Sequence, residues 1–368
     1  MKKVLLVFIF IILYNCTNKK TEDSYTISVT ISGLKDSTKI GLLDFSKYLP
    51  LDSTYSFKGN FTFIRKKEEP FEATLLVFSK NEKRTKSFSF WTNNTNININ
   101  ANIDSIFLRQ DGVLKKENIQ NSEINSLYID KRMQFLNNWN KKRSALKLVK
   151  TKEQKDSVNK FHNKIRDKNN LNFIYNNTNS YLALNEINLY RNIISLDSLS
   201  LFYNKIPQHL KNTQKGIFLR TFLENKKIKI GSHFIDFSAK DLNDNNVKLS
   251  DFKGKIIILD FWDRYCPPCR KMNREELPLI HNNYKDNVTI VSFSLDKAVE
   301  NWKIASKEDK INWINISDLK GFDSEIAARY NLVARPTTFI IDKKGIVQKS
   351  FLGYDNGELE NEIKKLIN

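Results

Sequence analysis

Apolar side chains occupy every second position in several short runs between residues 24 and 120. Residues 25–31 alternate through Tyr25, Ile27, Val29 and Ile31, and residues 57–65 alternate around Gly59-Asn60. Residues 96–103 set Ile97, Ile99, Ala101 and Ile103 between asparagines, and 74–78 and 88–91 continue the pattern. A period of two turns one face of each strand toward a core. Several such strands with turn residues between them predict an all-β, sandwich-like domain over 24–120. It holds no histidine, cysteine or acidic cluster suited to catalysis, so the expected role is interaction or spacing.

From residue 122 the period becomes helical. Ile124, Leu127, Met133, Phe135, Leu136, Leu146 and Val149 recur at helix spacing through lysine-rich sequence without a proline. A second set covers 181–194, Leu196–Lys205 and 213–223, after a polar turn at 176–180. These predict an α-helical middle region over 121–230, packed through a narrow apolar stripe and acting as a linker. Beyond 231 strands alternate with helices. Strands are expected at 256–262, 288–295, 337–342 and 347–351. Helices are expected after Cys266, at 298–307, 324–330 and Glu358–Ile367. With a hairpin through Lys343-Lys344-Gly345, residues 231–368 read as an α/β sheet covered on both faces.

Charge refines this picture. The net charge of the 368 residues is +19, but residues 231–368 hold 21 basic and 21 acidic side chains. The excess lies in 126–230, with 21 basic against 7 acidic. Those lysines are scattered among asparagines and fit no nucleic-acid-binding motif, so they read as a solvated helical face. With 40% hydrophobic residues the chain can bury real cores.

Residues 1–16 begin with Lys2-Lys3 and continue with eleven apolar residues, 4–14. A membrane span needs about 20, so this reads as a signal peptide. Cys16 stands at its end, before polar residues 17–23, and resembles the lipidated cysteine of a bacterial lipoprotein signal. Asn15 replaces the small residue usual before it. An ordinary signal peptide with a stray cysteine is the other reading; either takes the body of the protein out of the cytosol, and it is expected in the cell envelope, facing the periplasm on a lipid anchor. An exported dithiol there would be a redox centre in an oxidising compartment.

Cys266 and Cys269 are the only other cysteines. In Cys266-Pro267-Pro268-Cys269 they follow an apolar, β-branched strand and open a helix. Helix N–H groups and the helix dipole favour a thiolate at the first cysteine, and prolines suit the first helical positions. A static disulfide would close too small a loop to stabilise much. Zinc would need further ligands, and His162, His209, His233 and His281 are far apart in sequence. Thiol–disulfide exchange remains, with no cofactor or metal expected; a Thr-x-x-Cys peroxidatic pattern is absent.

Residues 231–368 resemble the thioredoxin-fold TlpA/ResA-like thiol–disulfide oxidoreductases. The resemblance rests on Leu259-Asp260-Phe261-Trp262, on Cys266-Pro267-Pro268-Cys269-Arg270, on 291–296, and on Ala334-Arg335-Pro336-Thr337-Thr338 through Asp342 with Gly345. It implies that Cys266 attacks and Cys269 resolves. It implies a cis-proline at Pro336, whose preceding backbone pairs with the client chain. Asp260 would assist deprotonation of Cys269, and Trp262 and Tyr265 would flank the pair. Protein thiols and disulfides of the envelope are the implied partners, with a membrane thiol donor or acceptor upstream.

The departures carry information too. Met272 stands where ResA-like sequences have glutamate, with Glu275 and Glu276 one turn later. Arg274 replaces the helix-kinking proline, with Pro278 further on, and Asp263 replaces the usual alanine. Arg335 would add positive charge near the Cys266 thiolate, lowering its pKa and making the disulfide more oxidising. The alternative reading is an envelope binding or assembly lipoprotein whose residues 24–230 dock a partner and whose redox domain is vestigial.

Overall fold

A computed structural model describes residues 23–78, 86–106, 114–224 and 227–367. Cys16 and the 1–16 segment lie outside the described residues. The alternating N-terminal runs form strands β1 (Ser24–Ser32), β2 (Lys39–Asp44), β3 (Leu49–Tyr55), β4 (Asn60–Lys66), β5 (Glu72–Val77), β6 (Lys86–Trp91), β7 (Ile97–Asn102) and β8 (Ile119–Gln120). They make two four-stranded sheets, ordered β4-β1-β7-β8 and β3-β2-β5-β6. Ile27, Val29, Phe63 and Ile99 from the first sheet share one core with Ile40, Leu42, Leu75 and Phe88 from the second. This is the N-terminal β-rich domain. Gly59 begins the return into β4 with φ +75°, and a Cβ there would lie 2.6 Å from the Ile31 carbonyl oxygen.

Strands β2 and β3 were not legible in the sequence. Gly41 interrupts β2, and β3 is an edge strand with mostly exposed side chains and a proline, so neither carries a period of two.

The middle region is helical: α1 (Glu123–Leu148), α2 (Lys152–Asn176), α3 (Tyr181–Tyr190), α4 (Leu196–Lys205), α5 (Gln208–Lys211) and α6 (Gln214–Glu224). Thr151 caps α2, accepting the Gln154 N–H at 3.2 Å while Gln154 reaches back to the Thr151 N–H. Along α1 only Ile124, Asn125 and Ile129 are buried. Most lysines of α1 and α2 therefore face solvent. The shorter helices do more than link. Leu184, Ile187, Phe202, Phe218 and Phe222 belong to the same buried core as Leu259, Phe261 and Val291 of the C-terminal sheet and Tyr330 beside it.

That sheet has seven strands: β9 (Ser238–Asp241), β10 (Asn246–Lys248), β11 (Ile256–Trp262), β12 (Val288–Ser294), β13 (Ile314–Ser317), β14 (Thr337–Ile341) and β15 (Val347–Leu352). Their order is β10-β9-β13-β12-β11-β14-β15. Helices α7 (Pro267–Glu275), α8 (Leu277–Tyr284), α9 (Val299–Glu308), α10 (Glu325–Arg329) and α11 (Glu358–Ile367) complete a thioredoxin-like α/β fold. β11 is buried at every position and lies between β12, parallel, and β14, antiparallel. A strand covered on both faces reads as a continuous apolar run, which is why it stood out. The helix carrying the cysteines breaks at Glu276, where α8 begins with Pro278 near its start.

Candidate active site

β11 carries the chain to Trp262, and residues 263–266 turn it into α7 with Pro267 as the first helical residue. Two carboxylates hold this turn. Asp263 Oδ1 accepts the Tyr265 N–H at 2.8 Å, and Asp296 Oδ2 accepts the Arg264 N–H at 3.2 Å. Cys266 is the N-cap of α7, its Sγ accepting the Cys269 N–H at 3.2 Å. The two cysteines are joined in a disulfide, their Cα atoms 5.2 Å apart. Cys269 is fully buried, whereas 4% of Cys266 remains exposed. A thiol or disulfide arriving from solvent therefore meets Cys266 first. Trp262, Trp302 and Ala305 pack with both cysteines in one buried cluster.

Asp260 lies in β11 with none of its surface exposed. Its Oδ1 accepts the Thr338 hydroxyl at 3.0 Å, and Oδ2 has no hydrogen-bond partner among the described residues. Burial pushes this carboxyl up to about 7, with the Thr338 hydrogen bond opposing. The register pairs Asp260 with Thr338 and Phe261 with Thr337. Pro336 therefore stands level with Trp262, at the end of β11 from which the chain leaves for Cys266. The Arg335–Pro336 peptide bond is cis.

Arg335 does not present a lone positive charge. Its guanidinium is ion-paired with Asp263 and lies 5.5 Å from the Phe322 ring centroid. The two departures from the resembled pattern, Asp263 and Arg335, thus compensate each other. Burial pushes the Asp263 carboxyl up, and Arg335 opposes that shift. Met272 packs into the apolar layer with Ile256, Ile258 and Leu277. Glu275 lies 3.7 Å from the Lys271 ammonium, and Glu276 accepts the Glu360 N–H at 3.2 Å in the first turn of α11. Both later glutamates are thus engaged in contacts of their own.

Several supporting residues were not singled out from sequence. Asp309, buried, accepts hydrogen bonds from Arg270 Nη2 and Arg274 Nη1, each at 2.9 Å. Asn301 Oδ1 accepts from Arg264 Nη1 at 3.0 Å and from the Tyr265 hydroxyl at 3.4 Å. Asp296 is buried, and desolvation raises its carboxyl to about 6. Each lies 32 to 39 residues from its partner, a separation that no local pattern spans. Among the described residues no group of three or more His, Cys, Asp or Glu side chains could hold a metal ion.

Residues 230–350 match the AhpC/TSA family, and residues 25–128 match DUF4369, a domain of unknown function. The chain is 33% identical over 155 residues to thiol-disulfide oxidoreductase ResA of Bacillus thuringiensis subsp. konkukian, covering 39% of this chain and 83% of that protein. ResA of Bacillus subtilis is 30% identical over 158 residues, covering 41% and 83% respectively. A solved thioredoxin domain of a thiol-disulfide oxidoreductase from Bacteroides vulgatus is 33% identical and covers 39% of this chain and 100% of that one, with a TM-score of 0.36. By its 33% identity to ResA over 83% of that protein, the chain belongs to the ResA-like thiol–disulfide oxidoreductases.

Proposed function

We propose that this oxidoreductase exchanges disulfides with cysteines of proteins in the bacterial envelope, Cys266 attacking and Cys269 resolving. The observation that carries the reading is the Cys266–Cys269 disulfide across the start of α7, with only Cys266 reaching the surface.

In the reducing direction the Cys266 thiolate attacks one sulfur of a client disulfide. A Cys266–client bond forms, and the other client sulfur leaves as a thiolate that takes up a proton. Ionised Asp260 accepts the proton of Cys269, whose thiolate then attacks the Cys266 sulfur. The second client sulfur leaves as a thiolate and takes up that proton, so the client departs with two thiols and the enzyme keeps the Cys266–Cys269 disulfide. Two electrons have passed to the client, and a membrane dithiol donor restores the reduced pair. Oxidation of a client dithiol runs these steps backwards, with a disulfide acceptor upstream. The reduction potential sets the direction. The Arg335 backbone before Pro336 pairs with the client chain, and Trp262 and Tyr265 flank the reacting sulfur.

The placement in the envelope rests on the charged and apolar pattern of residues 1–16, read as a signal peptide with lipidated Cys16 as membrane anchor. Among the described residues no helix is long and apolar enough to cross a membrane. The domain limits assigned on this reading are 24–120, 121–230 and 231–368. The DUF4369 match at 25–128 supports a separate N-terminal unit.

The test is reduction of a protein disulfide such as that of insulin, with dithiothreitol as electron source. Cys266→Ser is expected to remove the catalysed rate altogether. A variant as active as the wild type would sink the reading.

A further inference from the structure

The N-terminal domain reaches the redox site. The turn between β2 and β3 places the Tyr48 ring against the Tyr265 ring, centroids 4.6 Å apart and planes at 36°. Tyr265 immediately precedes Cys266. The same turn is fastened to the site by a second contact: Asn301 Nδ2 donates to the Lys47 carbonyl oxygen at 2.9 Å. Asn301 is the residue that also holds Arg264 and the Tyr265 hydroxyl. The turn is built to hold its shape. Buried Asp44 accepts the Ser46 N–H at 2.8 Å, the Ser46 hydroxyl at 2.7 Å and the Lys47 N–H at 3.2 Å, and pairs with the Lys47 ammonium at 3.0 Å. Yet the two rings are not sealed off, with Tyr48 45% and Tyr265 42% exposed.

We propose that Tyr48 is a specificity-determining residue for the Cys266–Cys269 site, making with Tyr265 an aromatic wall that receives an apolar or aromatic side chain beside the client's reacting cysteine. This rests on the disulfide-exchange reading above. The nearby charges argue for an apolar neighbour. Asp263 is paired with Arg335, Arg270 with Asp309, Lys47 with Asp44 and Glu68, and Lys297 with Asp323. Arg264 lies over the Tyr265 ring, 5.5 Å from its centroid, and is held by the neutral Asn301 Oδ1, so it is spent on the wall itself. The charges neutralised in place offer little to a charged segment, whereas two half-exposed rings offer contact area. A small disulfide that ends at its own sulfur cannot reach the wall.

The experiment uses the full protein and three substrates: two peptide–glutathione mixed disulfides that differ only by Phe or Ser beside the cysteine, and hydroxyethyl disulfide. The wild type is expected to prefer the Phe peptide about fivefold in kcat/KM, through KM, the size of one aromatic contact. Tyr48→Ala should bring that ratio close to one, and Tyr48→Phe should keep it. Tyr55→Ala, at the far end of β3, should also keep it, and unchanged urea midpoints would show that the variants fold. A Phe/Ser ratio unaltered in Tyr48→Ala overturns the proposal. So does a faster reaction of Tyr48→Ala with all three substrates alike, which would make the turn a cover. Failure of the wild type to exchange with hydroxyethyl disulfide would instead remove the underlying reading, whereas exchange without peptide preference removes this proposal alone.

Discussion

Asp263 and Arg335 are ion-paired across the rim of the disulfide, tying the turn after β11 to the residue before the cis-proline. A positive charge near a thiolate stabilises the reduced form and raises the potential, and the paired carboxylate offsets that effect. Asp263→Asn should therefore make the disulfide more oxidising, by roughly 10–30 mV for a two-electron couple. Arg335→Gln should shift it the other way. Equilibration of each variant with glutathione buffers measures the potentials, and three equal values would show that the pair has no electrostatic role.

Asp260 makes the protein's stability depend on pH. Its carboxyl is held up to about 7 by burial, against an unfolded value of about 3.9. The folded state therefore binds this proton more tightly than the unfolded chain does. The stability linked to the proton is fully present below about pH 4 and is lost as pH rises through about 7. In the oxidised protein Asp260→Asn should gain stability over the wild type between pH 4 and pH 8, by at most about 4 kcal/mol. Urea-unfolding midpoints at the two pH values test this, and a constant difference would contradict it.

The same carboxyl should leave a trace in the kinetics. In the proposed cycle ionised Asp260 takes the proton of Cys269, so resolution of the mixed disulfide should accelerate as pH passes through about 7. Stopped-flow traces of Asp260→Asn should be slower and lack that inflection. A retained inflection would assign it to another group.

Cys269→Ser removes the resolving sulfur while leaving Cys266 to attack. Mass spectrometry of this variant from cells should find Cys266 joined to client cysteines, whereas Cys266→Ser should trap none. No adducts in either variant would favour an envelope docking protein with an idle redox domain.

Asp309 has no exposed side-chain surface and holds Arg270, which directly follows Cys269 and whose side chain is 12% exposed. Breaking a buried ion pair by removing one partner leaves the other charge uncompensated. Asp309→Ala should cost on the order of 3 kcal/mol, read from the urea midpoint. A loss under about 1 kcal/mol would mean that solvent or Glu308 replaces the lost contact.

The sequence alone determined the elements whose burial leaves a local period. β1 alternates because one face is buried, β11 is apolar at every position but Asp260 because both faces are, and α4 shows its stripe. It also determined the cysteine pair at the strand–helix junction, since both lie within four residues and their chemistry follows from local backbone geometry. The edge strand β3 was illegible because it is only partly covered: Leu51 packs on the core while most of its side chains face out. The compensation of Arg335 by Asp263, the clamp of Asp309 on Arg270 and the shared core of α6 with β11 join residues tens of positions apart. Their partners are chosen by packing, which no local pattern records. The approach of Tyr48 to Tyr265 joins residues further apart than any of these. A turn with no catalytic signature becomes part of the redox site only because two domains fold against each other.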